Sequence, residues 1–423
     1  MSENKSIISK SKSGRVNKTI FTEDMKKDYT ILVPDMLPIH FNLIISLYKS
    51  YGYNMQLLQT STQSVIDEGL KNVHNDTCYP ALLVIGQFME ALKSGKYDVN
   101  KTALLISQTG GGCRASNYIA LLRKALSTEF PQVPVISLNF SGLEKNPAFA
   151  FTPMLVLKLI FAVCYGDMLM LCYNQCRPYE KNKGDTDKVL HKWEERLGRY
   201  FAGTRLYSAR KLYNEILDDF AAIPMNREKR KPRVGIVGEI YVKYSPLANN
   251  HLEDFLVSED CEPVVPGLLD FVLYCAVNGA NDGKLYDRHD KMTFLYSVGY
   301  KVLLAQQKKQ IDIIKKHGFF DPPHDFEHLR KCADKYIHQG VKMGEGWLIT
   351  AEMAALAETG TENIICTQPF GCLPNHIVAK GMSRVIKNAY PNANIVAIDY
   401  DPGATKVNQE NRIKLMLANA KRD

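Results

Sequence analysis

The 423-residue chain lacks several patterns that identify common functional classes. It has no GxxxxGK[ST] loop, and no GxGxxG motif follows a strand with an acidic residue about 20 positions later, so support for a nucleotide site is weak. It has no CxxC pair, which is the usual signal of a structural zinc site. The amino-terminal segment has no apolar stretch of the kind that a secretory signal requires. From these absences we expect a cytoplasmic protein.

The chain also lacks a strong charge of either sign. It has 53 Lys and Arg against 45 Asp and Glu, a formal net charge of +8, which does not indicate a nucleic-acid partner. The apolar stretch from Met154 to Tyr173 approaches the length of a membrane span, but Lys158 and the Gly166-Asp167 pair interrupt it. We therefore expect a pair of buried helices there, and no membrane partner.

Disulfide-rich composition is absent as well, because ten Cys in 423 residues are far fewer than a disulfide scaffold carries. In a cytoplasmic protein these thiols are expected to be reduced. Free Cys often packs as a small apolar residue, and this is the interpretation of Cys164, Cys172, Cys275 and Cys332. The patterns around Cys176 and Cys261 leave both roles open.

Strands and helices alternate along most of the chain, which predicts an α/β fold with parallel sheets covered on both faces. The predicted strands are short apolar runs: Tyr29–Pro34, Met55–Thr60, Thr102–Ser107, Val133–Phe140, Arg233–Tyr241, Pro263–Gly267, Asn363–Phe370 and Asn394–Asp401. The pattern predicts a disordered basic arm over 1–27, an α/β domain over 28–150, a helical segment over 151–232 and a second α/β domain over 233–423. Each α/β domain has a strand, a Gly-containing loop with a Cys, and then a helix, which indicates a repeated architecture.

Three Cys stand directly before a predicted helix: Cys78, Cys113 and Cys372. The amino end of a helix presents free N–H groups and a positive dipole end, which lowers the pKa of a thiol and favours a thiolate nucleophile or metal ligand. In doubly wound sheets such loops lie at the carboxyl ends of the strands, where ligands bind. Cys366, at the end of its predicted strand, is an additional candidate for the same crevice.

Three convergent thiolates fit an iron–sulfur cluster better than a structural zinc ion, which takes four ligands. Three ligands leave one iron open, and a catalytic cluster needs an open iron to bind a substrate as a Lewis acid. Gly111 and Gly112, in the loop before Cys113, would let backbone N–H groups approach the sulfur atoms. A protein with free thiols or with zinc remains an alternative.

Several polar residues stand near these Cys or at strand ends and are weaker candidates. Glu239, Glu345 and His376 are candidates for proton transfer, while Asn75 and Asp76 are candidates for supporting a cofactor. Caps and turns are the alternative for each of them, and Asn75 and Asp76 are natural helix-initiating residues.

These segments resemble the 2-hydroxyacyl-CoA dehydratase superfamily, and most closely the carboxy-terminal region of the large CoA-enzyme activases and the double-cubane cluster proteins. The resemblance extends over about Tyr29 to Ala418. The matching motifs are NDTCYPALLVIGQFMEALKSGKYD, TALLISQTGGGCRASNYIALLRKAL, RVGIVGEIYVKYSPLANN, VPGLLDF, GEGWLITAEM, NIICTQPFGCLPNHIVAKGM and NIVAIDYDPGA.

The resemblance implies Rossmann-like or flavodoxin-like α/β domains with an iron–sulfur cluster between them, on Cys78, Cys113 and Cys372, with Cys366 as an extra ligand. It implies a partner, an ATP-dependent activator protein with its own 4Fe-4S cluster, which injects a low-potential electron. In the dehydratases this electron makes a ketyl radical from a 2-hydroxyacyl-CoA, which then eliminates water. Double-cubane proteins instead reduce small molecules.

Two features of the chain limit what the resemblance implies. The chain carries no phosphate-binding ATPase motif, so it resembles the electron acceptor and not the activator. A double cubane needs six thiolates, and the sequence offers three or four, which favours a single 4Fe-4S cluster. We therefore expect a lyase or reductase component of anaerobic metabolism that forms a homodimer or heterodimer. The alternatives are a cluster carrier or scaffold subunit without catalytic activity, and a double-cubane reductase.

Overall fold

The computed structural model describes residues 19–74, 76–108, 111–138, 148–149, 152–203 and 208–420. Within these residues, two four-stranded sheets form, and every strand pair is parallel. The strands are β1 (Thr30–Val33), β2 (Asn54–Leu57), β3 (Thr102–Ser107), β4 (Val135–Leu138), β5 (Arg233–Gly238), β6 (Glu262–Val264), β7 (Asn363–Pro369) and β8 (Asn394–Tyr400). The predicted α/β class and all eight predicted strands are confirmed.

The two sheets have the same strand order. The order is β2-β1-β3-β4 in the first sheet and β6-β5-β7-β8 in the second. In each sheet, the strand that comes first in the sequence lies between the second and the third. From β1 the chain continues to one edge of the first sheet, and from β3 it continues to the opposite edge; β5 and β7 are related in the same way in the second sheet. The strand order therefore reverses its direction between β1 and β3, and between β5 and β7, while all strands stay parallel. The crevice outside the carboxyl ends of strands at such a reversal is where ligands bind in open α/β sheets.

Helices cover both sheets and fill the chain between them. They are α1 (Glu23–Asp28), α2 (Pro38–Ser50), α3 (Gln63–Asn72), α4 (Tyr79–Lys93), α5 (Tyr118–Glu129), α6 (Pro153–Cys176), α7 (Asp185–Ala202), α8 (Ala209–Ala221), α9 (Ile240–Tyr244), α10 (Pro246–Asn249), α11 (Leu252–Ser258), α12 (Leu268–Leu285), α13 (Lys291–His317), α14 (Phe326–Asp334), α15 (Trp347–Glu358), α16 (Leu373–Asn375), α17 (Gly381–Ala389) and α18 (Lys406–Ala420). A π-helical segment, His376–Lys380, joins α16 to α17. The helical segment predicted over 151–232 corresponds to α6, α7 and α8.

The two sheets share a hydrophobic core. One cluster of buried side chains contains Leu104 of β3, Ile236 of β5 and Ile365 of β7, together with most of α4. Nearly every residue of α4 is buried, because this helix lies against both halves of the molecule. The backbone joins the halves as well, since the Tyr79 N–H donates to the Phe370 carbonyl at 2.9 Å.

Helix α6 differs from its prediction. It is one continuous helix of 24 residues and not a pair, and Gly166 and Asp167 lie inside it without breaking it. Lys158 is buried and its Nζ donates to the Phe201 carbonyl at 2.7 Å. Among the described residues, α6 and the turn that follows it form one helix that is long and apolar enough to cross a membrane. Within its most apolar 18-residue stretch, 56% is buried inside the protein.

Two other sequence-based expectations need correction. The predicted disordered arm extends too far, because residues 23–28 form α1 and Phe21 is buried in the core, whereas residues 1–18 lie outside the described part of the chain. Cys275, interpreted as a buried apolar residue, is exposed, while Cys164, Cys172 and Cys332 are buried.

Candidate functional site

Cys78 is the residue that caps the amino end of α4. Its side chain is buried, and its Sγ lies 2.7 Å from the Tyr118 hydroxyl. The loop after β7 lies directly against it, since a Cβ at Gly371 would stand 3.1 Å from the Cys78 Cα. Gly371 also has a φ of +73°, so glycine is required there by conformation and by space.

Cys113 follows β3 and caps a short 3-10 helix, Arg114–Asn117. Its Sγ accepts a hydrogen bond from the Ala115 N–H at 3.4 Å, and its side chain is half-buried. The preceding residue, Gly112, lies close to Met343, because a Cβ there would stand 2.4 Å from the Met343 Sδ. The loop after β3 therefore contacts the segment that carries Glu345.

Cys372 follows β7 and precedes α16, with Pro374 in the first turn of that helix. The side chain is buried. Its neighbour Pro374 lies against Gly344, where a Cβ would be 3.2 Å from the proline ring. The structure therefore places all three Cys at the amino ends of helices, and the segment around Glu345 touches two of the three Cys loops.

The three thiols and two carboxyl groups are close enough to affect one another's ionisation. The charge of Glu239 raises the pKa of Cys78, Cys113 and Cys372, and the charge of Glu345 raises the pKa of Cys113 and Cys372. Cys78 in turn interacts electrostatically with both other thiols. These five residues define the thiol–carboxyl crevice.

Glu239 and Glu345 are held by backbone groups at the end of β5. Glu239 caps α9 and accepts the Val242 N–H at 2.8 Å, while Glu345 accepts the Ile240 N–H at 2.9 Å. Burial is the largest cause that raises the pKa of both carboxyl groups, and their mutual repulsion adds to it at Glu239. Lys243 lowers both pKa values, but its Nζ already binds Glu352 at 3.1 Å.

The thiols differ from the expectation that a helix end would lower their pKa. Burial raises the pKa of Cys78 to about 11 and also raises that of Cys113 and Cys372, and the nearby carboxylates act in the same direction. Hydrogen bonds to the thiols, from Tyr118 to Cys78 and from backbone N–H groups to all three, lower these pKa values, but their effect is smaller than that of burial. Burial therefore disfavours the charged form of all five groups, and a bound cation would offset that cost.

The three sulfur atoms do not form a ready-made site for a single ion. Among the described residues, the three Sγ atoms do not all lie within 4.8 Å of one another. In an iron–sulfur cluster each thiolate binds a different iron, so the ligand atoms stand further apart than around one ion. Thiolates are the ligands that such clusters take, so the residue types, Cys78, Cys113 and Cys372, are chemically compatible with the cofactor that the sequence suggests.

Cys366 does not belong to this crevice, which corrects its selection as a ligand. It lies in the middle of β7, and its Sγ is 3.3 Å from the Met353 Sδ of α15. Cys366 and its neighbour Ile365 belong to different hydrophobic clusters, because successive side chains of a strand point to opposite faces. The Cys366 thiol is fully buried among apolar residues and acts in packing.

The other candidates are placed as follows. His376 is exposed, and its Nδ1 lies 2.5 Å from the Gln368 amide nitrogen. Asp76 is exposed and its side chain lies 3.3 Å from His74, while its carbonyl accepts from Arg114. Gly111 is exposed, with open space where a Cβ would be. Asn75 lies outside the described residues.

Two buried residues near the carboxyl edge of the first sheet were missed from the sequence. Tyr118 begins α5, five residues after Cys113, and its hydroxyl reaches Cys78 across 40 positions. Asp35 follows β1 at the same edge of the first sheet, and it is buried with its Oδ1 unpartnered among the described contacts. A polar residue directly after a buried strand was the available signal for Asp35, whereas no local pattern pointed to Tyr118.

Comparisons with known proteins identify no relative of this chain. No family model, no curated protein and no solved structure matches it. The functional interpretation therefore depends on the geometry of the crevice and on the motifs of the sequence.

Proposed function

We propose that this chain is an iron–sulfur protein of the 2-hydroxyacyl-CoA dehydratase type. It would accept a low-potential electron from an ATP-dependent activator protein and act on a small acyl-CoA-like substrate in the cytoplasm. The observation that carries the proposal is the convergence of three helix-capping Cys from different loops on one crevice with two buried carboxyl groups.

Cys78, Cys113 and Cys372 would hold the cofactor. When bound, a 4Fe-4S cluster with three thiolate ligands supplies a low-potential electron and one iron that is open to a substrate oxygen. The Tyr118 hydroxyl, 2.7 Å from the Cys78 Sγ, would donate a hydrogen bond to that thiolate. Of the neighbouring glycines, Gly111 would leave room on the exposed side of the Cys113 loop, whereas Gly112 packs against Met343.

Glu239 and Glu345 are the groups that would move protons. Burial raises the pKa of Glu239 to about 8, so this group can hold a proton near neutral pH, and burial raises the pKa of Glu345 in the same direction. A protonated carboxyl can donate to a hydroxyl that leaves as water, and a carboxylate can accept a proton from the substrate carbon. His376 is exposed and touches Gln368, which makes it a weaker candidate for this role.

The proposal is tested by turnover under strict exclusion of oxygen. The full chain is combined with an activator protein, ATP, a reductant and a 2-hydroxyacyl-CoA, and enoyl-CoA formation is followed. We expect turnover to need every component and to be lost in Cys113→Ala, whereas the matched control Cys164→Ala, at a buried Cys of α6, should retain it. Glu345→Gln should reduce turnover and leave the iron content unchanged.

The same experiment distinguishes the alternatives. If the chain accepts electrons from the activator but converts no acyl-CoA, it is a cluster carrier or scaffold subunit without catalytic activity. If it instead reduces a small molecule and contains about twice the iron of a single cluster, it is a double-cubane reductase. A chain that takes up neither electrons nor iron contradicts the proposal.

A further inference from the structure

A second group of metal-binding side chains lies at the opposite edge of the second sheet. It consists of His328 and Cys332 on α14 and Glu358 at the end of α15. α15 ends just before β7 begins, so this group is at the amino edge, whereas Cys372 follows the carboxyl end of β7. The seven-residue strand β7 separates the two places by about 20 Å.

The three side chains are already gathered. Their ligand atoms all lie within 4.8 Å of one another, with 3.5 Å between the Cys332 Sγ and the His328 Nε2, and 3.3 Å between the Cys332 Sγ and the Glu358 Oε2. His328 and Cys332 are four residues apart on one helix, so they share a face. Cys332 is fully buried, and Glu358 connects the group to solvent.

One imidazole nitrogen, one thiolate and one carboxylate form the mixed donor set that zinc accepts. We propose that His328 Nε2, Cys332 Sγ and the Glu358 carboxylate bind one Zn²⁺ ion, with water as the fourth ligand. On binding, the thiol proton that Cys332 directs at Glu358 passes to solvent, and a zinc–sulfur bond replaces the S–H bond. This site does not depend on the function proposed for the crevice.

Among the described ion pairs, Lys335 is the positive charge that would compete with a bound metal ion for Glu358. Lys335 Nζ lies 3.2 Å from the Glu358 Oε2, and the Tyr390 hydroxyl lies 3.4 Å from the same oxygen. The same Glu358 oxygen already faces Cys332, so zinc binding would compete with its ion pair to Lys335. His324 lies before the start of α14, with its Nε2 3.4 Å from the Thr359 hydroxyl, and remains outside the ligand set.

The test uses the full chain and an element-specific method, so that iron in the crevice does not interfere. The protein is equilibrated with Zn²⁺ and dialysed; bound zinc is counted by mass spectrometry, and its ligands are identified by X-ray absorption at the zinc edge. We expect one zinc per chain with one sulfur at about 2.3 Å and three nitrogen or oxygen ligands at about 2.0–2.2 Å.

Variants assign the ligands. Cys332→Ala should remove the sulfur signal and the zinc, and Glu358→Gln, a partly exposed position that does not endanger folding, should weaken zinc binding at least tenfold. Cys176→Ala is the matched control, because Cys176 is also buried but its Sγ contacts only a backbone carbonyl, that of Phe220, among the described hydrogen bonds. The proposal is overturned if wild-type protein retains no zinc, if zinc has two or more sulfur ligands, or if Cys332→Ala retains it.

Discussion

The hydroxyl of Tyr118 is the nearest polar group to the Cys78 sulfur among the described contacts. Hydrogen bonds to a cluster's thiolates stabilise its electron-rich reduced state. We therefore expect Tyr118→Phe to keep its iron, to lower the reduction potential, and to lose about 1 kcal/mol of stability. A redox titration followed by electron paramagnetic resonance measures the potential.

Tyr48→Phe is the control for this prediction. Tyr48 is buried like Tyr118, but its hydroxyl has no hydrogen-bond partner among the described residues. Its removal should leave the potential unchanged. An equal potential in Tyr118→Phe and wild type would show that the 2.7 Å contact does not tune the site.

Asp35 gives a prediction for the pH dependence of stability. Burial raises the pKa of Asp35 from 3.8 to about 7, so between these values the folded state binds a proton that the unfolded state has lost. Stability contributed at this position therefore falls as pH rises from about 4 to about 7. Asp35→Asn removes this loss, and we expect it to stabilise the protein by up to about 4 kcal/mol above pH 7 and by little near pH 4.

Denaturant unfolding of both proteins across this pH range measures the difference. Asp312→Asn, at an exposed position of α13, is the control and should show no such pH-dependent gain. If Asp35→Asn and wild type respond to pH in parallel, then Asp35 is not held in an environment that disfavours its charge.

Single residues show which parts of the site a sequence can reveal. The three helix-capping Cys were predicted because a cap depends on the few residues that follow it, such as Pro80 and Pro374. Their pKa values were not, because burial and the charges of Glu239 and Glu345 come from distant parts of the chain. Tyr118 was missed for the same reason.

At the scale of elements, the contact between α6 and α2 has little spare room. A Cβ at Gly166 would stand 2.3 Å from the His40 Cδ2, and His40 binds the neighbouring Asp167 at 2.8 Å. Gly166→Ala must separate the two helices, so we expect a loss of about 1–3 kcal/mol in the free energy of unfolding. Urea unfolding measures it.

Gly299→Ala is the matched helical control. Gly299 lies in α13 with nothing within 4 Å of a built Cβ, so alanine should stabilise that helix by up to about 1 kcal/mol. Opposite signs for the two variants support the packing argument. A similar effect at both positions would mean that helix propensity, and not the contact with His40, decides the outcome.

Elements were predicted well where one periodicity dominates. All eight strands are short apolar runs between helices, and each was identified. Helix α6 was predicted as two helices because Gly166 and Asp167 look like a break, yet both have tertiary partners there: Gly166 contacts His40, and Asp167 accepts the Leu268 N–H at 2.7 Å. Cys366 was misplaced because a residue inside a strand can face either side of the sheet.

At the scale of the whole molecule, the repeated motif corresponds to a repeated topology. The two sheets share one strand order, and Cys113 and Cys372 follow equivalent strands, β3 and β7. The sequence predicted the strands and the loops, but not that α4 would bring Cys78 between the halves. That placement depends on the core that the two sheets share, which no local pattern encodes.

The most direct test of the central claim is the iron and acid-labile sulfide content of the chain purified without oxygen. We predict about four irons and four sulfides per wild-type chain, their loss in Cys78→Ala, Cys113→Ala and Cys372→Ala, and their retention in Cys366→Ala, a buried Cys in the middle of β7. Iron-free wild-type protein from cells that assemble clusters, or equal iron in all four variants, would contradict the account.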